Sequence, residues 1–297
     1  MIRDAGSSRR LLVLHAHPDD ESIMTGGTIA RYLDAGVDVT VVTFTLGEEG
    51  EVIGDTWAQL VADGGADQLG GYRIGELASA LDVLAGAGAL RPRFLGGAGH
   101  WRDSGMAGSP AAEHPRALVN ASPDEPVTAL ADIIAELRPQ VVIGYDPAGT
   151  YGHPDHRQVY RISTEAVAAA ADRWRVDKHY WSVTARTPLI DGIGAARSLP
   201  AGWRMPADGE LPSYPDDEVS TAVDVSAVYD RKVEALRRHA TQVTVAPSGT
   251  EYALSNNILQ PILAEEHFIL VEGERGETDA TGRERDLFAG VTGARGR

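Results

Sequence analysis

A chain of 297 residues with 43% hydrophobic content can bury a sizeable core, which excludes a disordered chain. Its net charge of −16, from 27 Lys+Arg against 43 Asp+Glu, repels phosphate backbones and anionic lipids and argues against nucleic-acid and membrane partners. It has no cysteine, which excludes disulfides, a thiolate nucleophile and a cysteine-ligated zinc site.

Residues 1–9 read as a loose polar leader. Arg9-Arg10 precede only four apolar residues before His15, short of the ~7–15 of a secretory h-region, and no stretch approaches the ~18 of a membrane span. A cytoplasmic protein is the expectation. The nearly all-apolar run over 11–15 predicts a strand covered on both faces. Helical spacing follows over 26–33, with Gly36 as its stop, and a β-branched strand over 37–45. Ile74, Leu77, Ala78, Leu81 and Leu84 form a helical stripe within 73–84. A weak strand at 93–95 and a helix over 127–137 come next, the helix closed by Pro139.

The second half predicts a strand at 141–145, a long helix at 155–171, a strand at 179–184, a helix at 225–239 and a last strand at 267–271. This alternation predicts an α/β fold: a Rossmann-like doubly wound, mostly parallel sheet with helices on both faces and a smaller C-terminal cap region. Residues 1–184 are expected to form the core, and 185–297 to complete the substrate site. Within the latter, 185–224 reads as a cap or long loops, and the charged, Gly-rich tail after 273 as partly flexible.

Two loops carry chemistry. His15-Ala16-His17-Pro18-Asp19-Asp20-Glu21 leaves the first strand, and Tyr151-Gly152-His153-Pro154-Asp155-His156 follows the strand at 141–145. One His-Pro-Asp is commonly a turn, but two at strand ends meet across one crevice if their strands are neighbours, where open α/β sheets bind ligands. A hydrolytic metal site wants about three protein ligands and an open position. His17, Asp20 and His156 are the best set: His17 and Asp20 share a helical turn, and His156 comes from the other loop. The set suits Zn2+, one ion per chain, and equally Fe2+. Asp19 is then the candidate base, His153 and Tyr151 candidate oxyanion donors, His153 alternatively an acid, and Asp155 the residue orienting His153. His15 reads as structural, Glu21 as a helix-start or supporting group, and Gly26-Gly27 as a helix-packing element rather than a phosphate loop. His100, His114, His179 and His239 have no partner motif.

The two loops resemble those of the zinc-dependent N-acetylglucosaminyl deacetylases, the LmbE-like or PIG-L group. The likeness extends through Thr45-Leu46-Gly47-Glu48-Glu49-Gly50-Glu51, Gly70-Gly71-Tyr72-Arg73, Trp101-Arg102-Asp103-Ser104-Gly105-Met106 and Leu254-Ser255-Asn256-Asn257, across roughly 10–290. These segments are similar to the mycothiol-biosynthesis branch, which removes acetate from N-acetylglucosaminyl-inositol, an amino-sugar inositol. The resemblance implies His17, Asp20 and His156 on zinc, Asp19 as base, His153 and Tyr151 on the tetrahedral intermediate, and Glu51, Arg73, Asp103, Met106 and Asn256 along the substrate. The other reading for Arg73 and Asp103 is a buried ion pair. Two alternatives stand: a mycothiol S-conjugate amidase, whose members typically carry lysine where Ile23-Met24 stand here, and a non-catalytic sugar- or nucleotide-binding module. His100 stands where the deacetylase pattern often has arginine.

Overall fold

The computed structural model describes residues 9–291, so residues 1–8 of the leader and residues 292–297 lie outside the described residues. The strands are β1 (Arg10–His15), β2 (Asp38–Thr43), β3 (Arg93–Phe94), β4 (Val141–Gly144), β5 (Lys178–Val183), β6 (Thr221–Asp224), β7 (Thr244–Val245), β8 (Glu251–Ala253), β9 (Gln260–Pro261) and β10 (Glu265–Glu272). The helices are α1 (Asp20–Met24), α2 (Gly26–Asp34), α3 (Leu69–Ala85), α4 (Asp124–Leu137), α5 (Pro154–Ala170), α6 (Arg186–Ala195) and α7 (Tyr229–Arg238).

The main sheet runs β3-β2-β1-β4-β5-β10-β6. Its first five strands are mutually parallel, while β10 pairs antiparallel with both β5 and β6. The doubly wound expectation holds, and the C-terminal region supplies two strands of the same sheet. Alternation along β1, with both faces covered, explains why its sequence is apolar from Leu11 to Leu14. Leu11 and Val13 face a core shared with α2, α3 and α7; Leu12 and Leu14 face one shared with α4 and α5. Each fully buried aliphatic side chain of this kind contributes ~1.5–3 kcal/mol. The strand order reverses between β1 and β4, the switch point where the loops leaving two parallel strands open a crevice. Both His-Pro-Asp loops leave from there.

The start of α2 rests on β10. Glu266 accepts the Gly27 and Thr28 N–H groups at 2.9 and 2.8 Å and pairs with Lys232 at 2.8 Å. A carboxylate at a helix N-terminus satisfies free donors and complements the dipole. Gly27 is needed for contact: an added Cβ would lie 2.5 Å from Val225 Cβ.

Over 185–224 the chain forms α6, irregular structure and β6. The helix expected from 225 begins as α7 at Tyr229, after a short 3-10 turn over Ser226–Val228. β7, β8 and β9 form a small antiparallel sheet, which α6 touches through β9.

Up to Val291 the tail folds back onto the core, burying Leu287 and Phe288, and Glu284 forms an isolated bridge with Thr221 of β6. Glu284 pairs with Lys178 at 2.6 Å and accepts from Tyr180 and Thr221, all buried. Its glycines and surface charges set the composition, but these three buried residues set the structure.

Candidate metal centre

The β1–α1 loop makes a turn at Pro18-Asp19 before α1, while Pro154 opens α5 with His153 as its N-cap. The two loops bring His17 Nδ1, Asp20 Oδ2 and His156 Nε2 into a triangle with edges of 3.3, 3.4 and 3.4 Å. Tetrahedral zinc with bonds of ~2.0–2.1 Å places neighbouring ligand atoms ~3.3–3.4 Å apart, so the residues fit such an ion. His17 also belongs to two other groups, with His153 and His156 and with Asp103 and Asp155, whose candidate donor atoms lie within 4.8 Å of one another. The triangle matches the spacing of a tetrahedral ion on all three edges.

The far side of the His17 ring faces carboxylates. Its Nε2 lies 3.3 Å from Asp155 Oδ2 and 3.6 Å from Asp103 Oδ1. This carboxylate–imidazole arrangement directs the other ring nitrogen, Nδ1, into the triangle. Burial opposes charge on His17, but Asp103, Asp155 and Asp20 outweigh it and raise its basicity. Burial also opposes ionisation of Asp20, yet His156 and His17 hold its carboxyl well below the ordinary range. A pocket that favours a proton at His17 and a carboxylate at Asp20 also favours a divalent cation in the proton's place.

Asp155 makes a different contact from the one expected. Its carboxylate addresses His17 and the Ser104 N–H at 2.9 Å, while only its backbone N–H meets His153, at Nδ1 and 3.1 Å. The helix start imposes this: the N-cap side chain must accept a free N–H of the first turn. With Nδ1 accepting, a neutral His153 carries its proton on Nε2. Burial, then the charges on His17 and His156, hold its pKa down at about 3. His153 is thus a neutral hydrogen-bond donor at neutral pH. Tyr151 is 51% exposed and sits edge-on to His156 and His153 at 5.1 and 6.0 Å between ring centres.

Asp19 has φ 125°, a strained value for a side-chain-bearing residue. Its Oδ2 lies 3.0 Å from Arg73 Nη2, and its N–H donates to Glu21 Oε2 at 2.9 Å. Burial pushes its pKa up to about 6, with Arg73 opposing. Arg73 is 2% exposed and also donates to the Pro18 and Gly47 carbonyls. It lines the cavity, but its guanidinium is committed to Asp19 and the neighbouring backbone, and the Arg73–Asp103 pair is not formed. Glu48 holds the adjoining loops together by accepting the Leu46 and Asp103 N–H groups at 3.2 and 3.0 Å.

These groups open into a cavity of about 620 Å³. Exposed Glu51, Met106 and Asn256 line it, as do Gln242, Tyr252 and Leu189 from the C-terminal half, which no short motif had marked. His15 lies apart from the cavity and is buried, with Nε2 2.9 Å from Thr25 Oγ1 and Nδ1 3.4 Å from the Tyr145 hydroxyl. His239, which had no partner by motif, is buried against Glu21 at 2.7 Å. Burial pushes the Glu21 carboxyl up, but His239, Ser22 and the Asp19 N–H outweigh this and hold it below its ordinary value.

Among solved structures, N,N'-diacetylchitobiose deacetylase from Pyrococcus horikoshii superposes with a TM-score of 0.51 at 20% identity, covering 78% of this chain and 70% of its own. GalB, the 4-carboxy-2-hydroxymuconate hydratase from Pseudomonas putida, gives 0.54 at 18% identity, covering 92% and 100%. These two likenesses concern the fold alone. Sequence relatives are nearer. A 1D-myo-inositol 2-acetamido-2-deoxy-alpha-D-glucopyranoside deacetylase of Gordonia bronchialis is 65% identical over 285 residues, covering 95% of this chain and 100% of its own. The protein of that name in Rhodococcus jostii is 63% identical over 293 residues, covering 96% and 99%. The family model described as GlcNAc-PI de-N-acetylase matches residues 12–167, a span that includes both His-Pro-Asp loops. The chain belongs to the PIG-L family.

Proposed function

We propose that the chain hydrolyses the N-acetyl amide of N-acetylglucosaminyl-myo-inositol, releasing acetate and glucosaminyl-inositol, as a zinc-dependent step of mycothiol biosynthesis. The observation that carries this reading is the near-full-length likeness, at 65% identity, to a relative named for that deacetylation. The triangle of donor atoms supports it from the chemical side.

His17, Asp20 and His156 would hold the ion. When bound, a divalent metal supplies Lewis acidity toward the acyl oxygen and lowers the pKa of water from about 15.7 toward 7. Asp19 takes the proton of the attacking water at Oδ1, since Oδ2 faces Arg73, and returns it to the amine nitrogen as the C–N bond breaks, so that acetate and the free amine leave. Arg73 keeps that carboxylate aimed. His153 donates from Nε2 to the oxyanion that forms at the acyl carbon, with the Tyr151 hydroxyl as a second donor at the cavity mouth. Asp155 and Asp103 keep His17 oriented. Glu51, Met106 and Asn256 supply the wall for the sugar and inositol, a hydroxyl-rich substrate selected by paired hydrogen bonds.

The test is free-amine release by purified, zinc-loaded protein from N-acetylglucosaminyl-inositol, with a mycothiol S-conjugate in parallel. Faster cleavage of the first is expected. Faster cleavage of the conjugate would move the chain to the amidase reading, and binding without acetate release would make it a binding module.

A further inference from the structure

Asp19 sits at φ 125° and ψ −33° as the residue before α1. Backbone in such a region costs ~1–3 kcal/mol and persists only where the surroundings over-determine it. The hydrogen bonds around Glu21 show what does so. Glu21 Oε2 accepts the Asp19 N–H at 2.9 Å. Its Oε1 accepts from Ser22 Oγ at 2.5 Å and meets His239 Nε2 at 2.7 Å. An ionised carboxylate only accepts, so His239 donates from Nε2. Both side chains are fully buried, at 0% exposure, and neither lines the cavity. They therefore cannot touch substrate. His239 is fixed in turn: its N–H donates to Leu236 O at 3.2 Å, and its carbonyl accepts from Gln242 and Val243 at 2.9 and 2.8 Å.

We infer that Glu21 and His239 are positioning residues that clamp the strained turn presenting Asp19. They hold its backbone from one side while Arg73 holds its carboxylate from the other. The clamp carries the C-terminal end of α7 to the first loop, a sequence separation of 218 residues. This inference rests on the reading of Asp19 as the base.

The test compares Glu21→Gln with the double variant Glu21→Leu/His239→Leu. The double variant removes both members, so no buried charge is stranded, and apolar replacement of a buried pair is often tolerated. It should melt near the wild-type temperature and bind zinc at wild-type stoichiometry. Its kcat should fall about 10–100-fold, because a misplaced base is costly even when the displacement is small, with KM unchanged within about twofold. Glu21→Gln keeps one acceptor oxygen for the Asp19 N–H, and its amide can donate to His239 Nε2 in the other tautomer. It should recover to within about threefold of wild type.

A double variant with wild-type kcat would overturn the clamp. So would a loss confined to KM, or loss of zinc, which would mean that Glu21 acts through Asp20 instead. Asp19→Ala assayed alongside separates the two readings. An inactive Asp19→Ala beside a fully active double variant sinks only the clamp, whereas an active Asp19→Ala sinks the base as well.

Discussion

Asp19 and Asp20 are chemically identical neighbours with opposite environments. Asp20 faces two imidazoles and stays ionised, whereas Asp19 is pushed up to about 6 by burial. That contrast accords with a ligand role for one, as the donor triangle suggests, and a base role for the other. Asp19→Ala should keep the metal and lose turnover by about 10²–10⁴-fold, read by metal content and kcat on one preparation. A base works only when deprotonated, so kcat/KM should fall as pH drops through its pKa. Arg73 and a nearby cation both favour the carboxylate, so the midpoint of the loaded enzyme should lie at or below about 6. An acid limb centred above 7 would contradict the assignment. His156→Ala removes a corner of the triangle and should lose metal on dialysis; wild-type content would exclude His156 as a ligand. That His17, Asp20 and His156 meet was readable because their residue types recur in two loops leaving strand ends, which face each other when the strands are neighbours. The partner of Asp155 was not. A short motif does not say whether a helix-start carboxylate turns toward its own N-cap or across to another loop, and here Ser104 and His17 draw it across.

At the level of elements, periodicity located β1, β2, β4 and the long helices because each buries a face or stripe wide enough to imprint the sequence. It gave no order for the strands, because register between distant strands lies in backbone pairing rather than in composition. β7, β8 and β9, of two or three residues each, are too short to show a period. The docking of the tail left no periodic mark for a related reason: its anchors are the isolated residues Glu284, Leu287 and Phe288 amid glycine and exposed charge. Two expectations follow. Glu284→Ala leaves Lys178 buried without its carboxylate and should destabilise by about 3–5 kcal/mol in urea unfolding. Leu287→Ala opens a cavity at a fully buried site and should cost about 2–5 kcal/mol. A tail that merely covers the sheet would give a small change in both.

Across the whole molecule, the fold positions the chemistry without specifying it. A hydratase superposes on this chain over 92% of its length, so the architecture alone leaves the reaction open. What distinguishes this chain is the set of side chains at the β1/β4 switch point and the wall that the C-terminal half adds over them. Among the described residues no helix is long and apolar enough to cross a membrane. Free-amine release from N-acetylglucosaminyl-inositol is followed before chelation, after exhaustive chelation, and after titration with zinc. The account predicts that activity disappears on chelation and returns in proportion to added zinc, levelling at one ion per chain. Full activity in metal-free protein would contradict it.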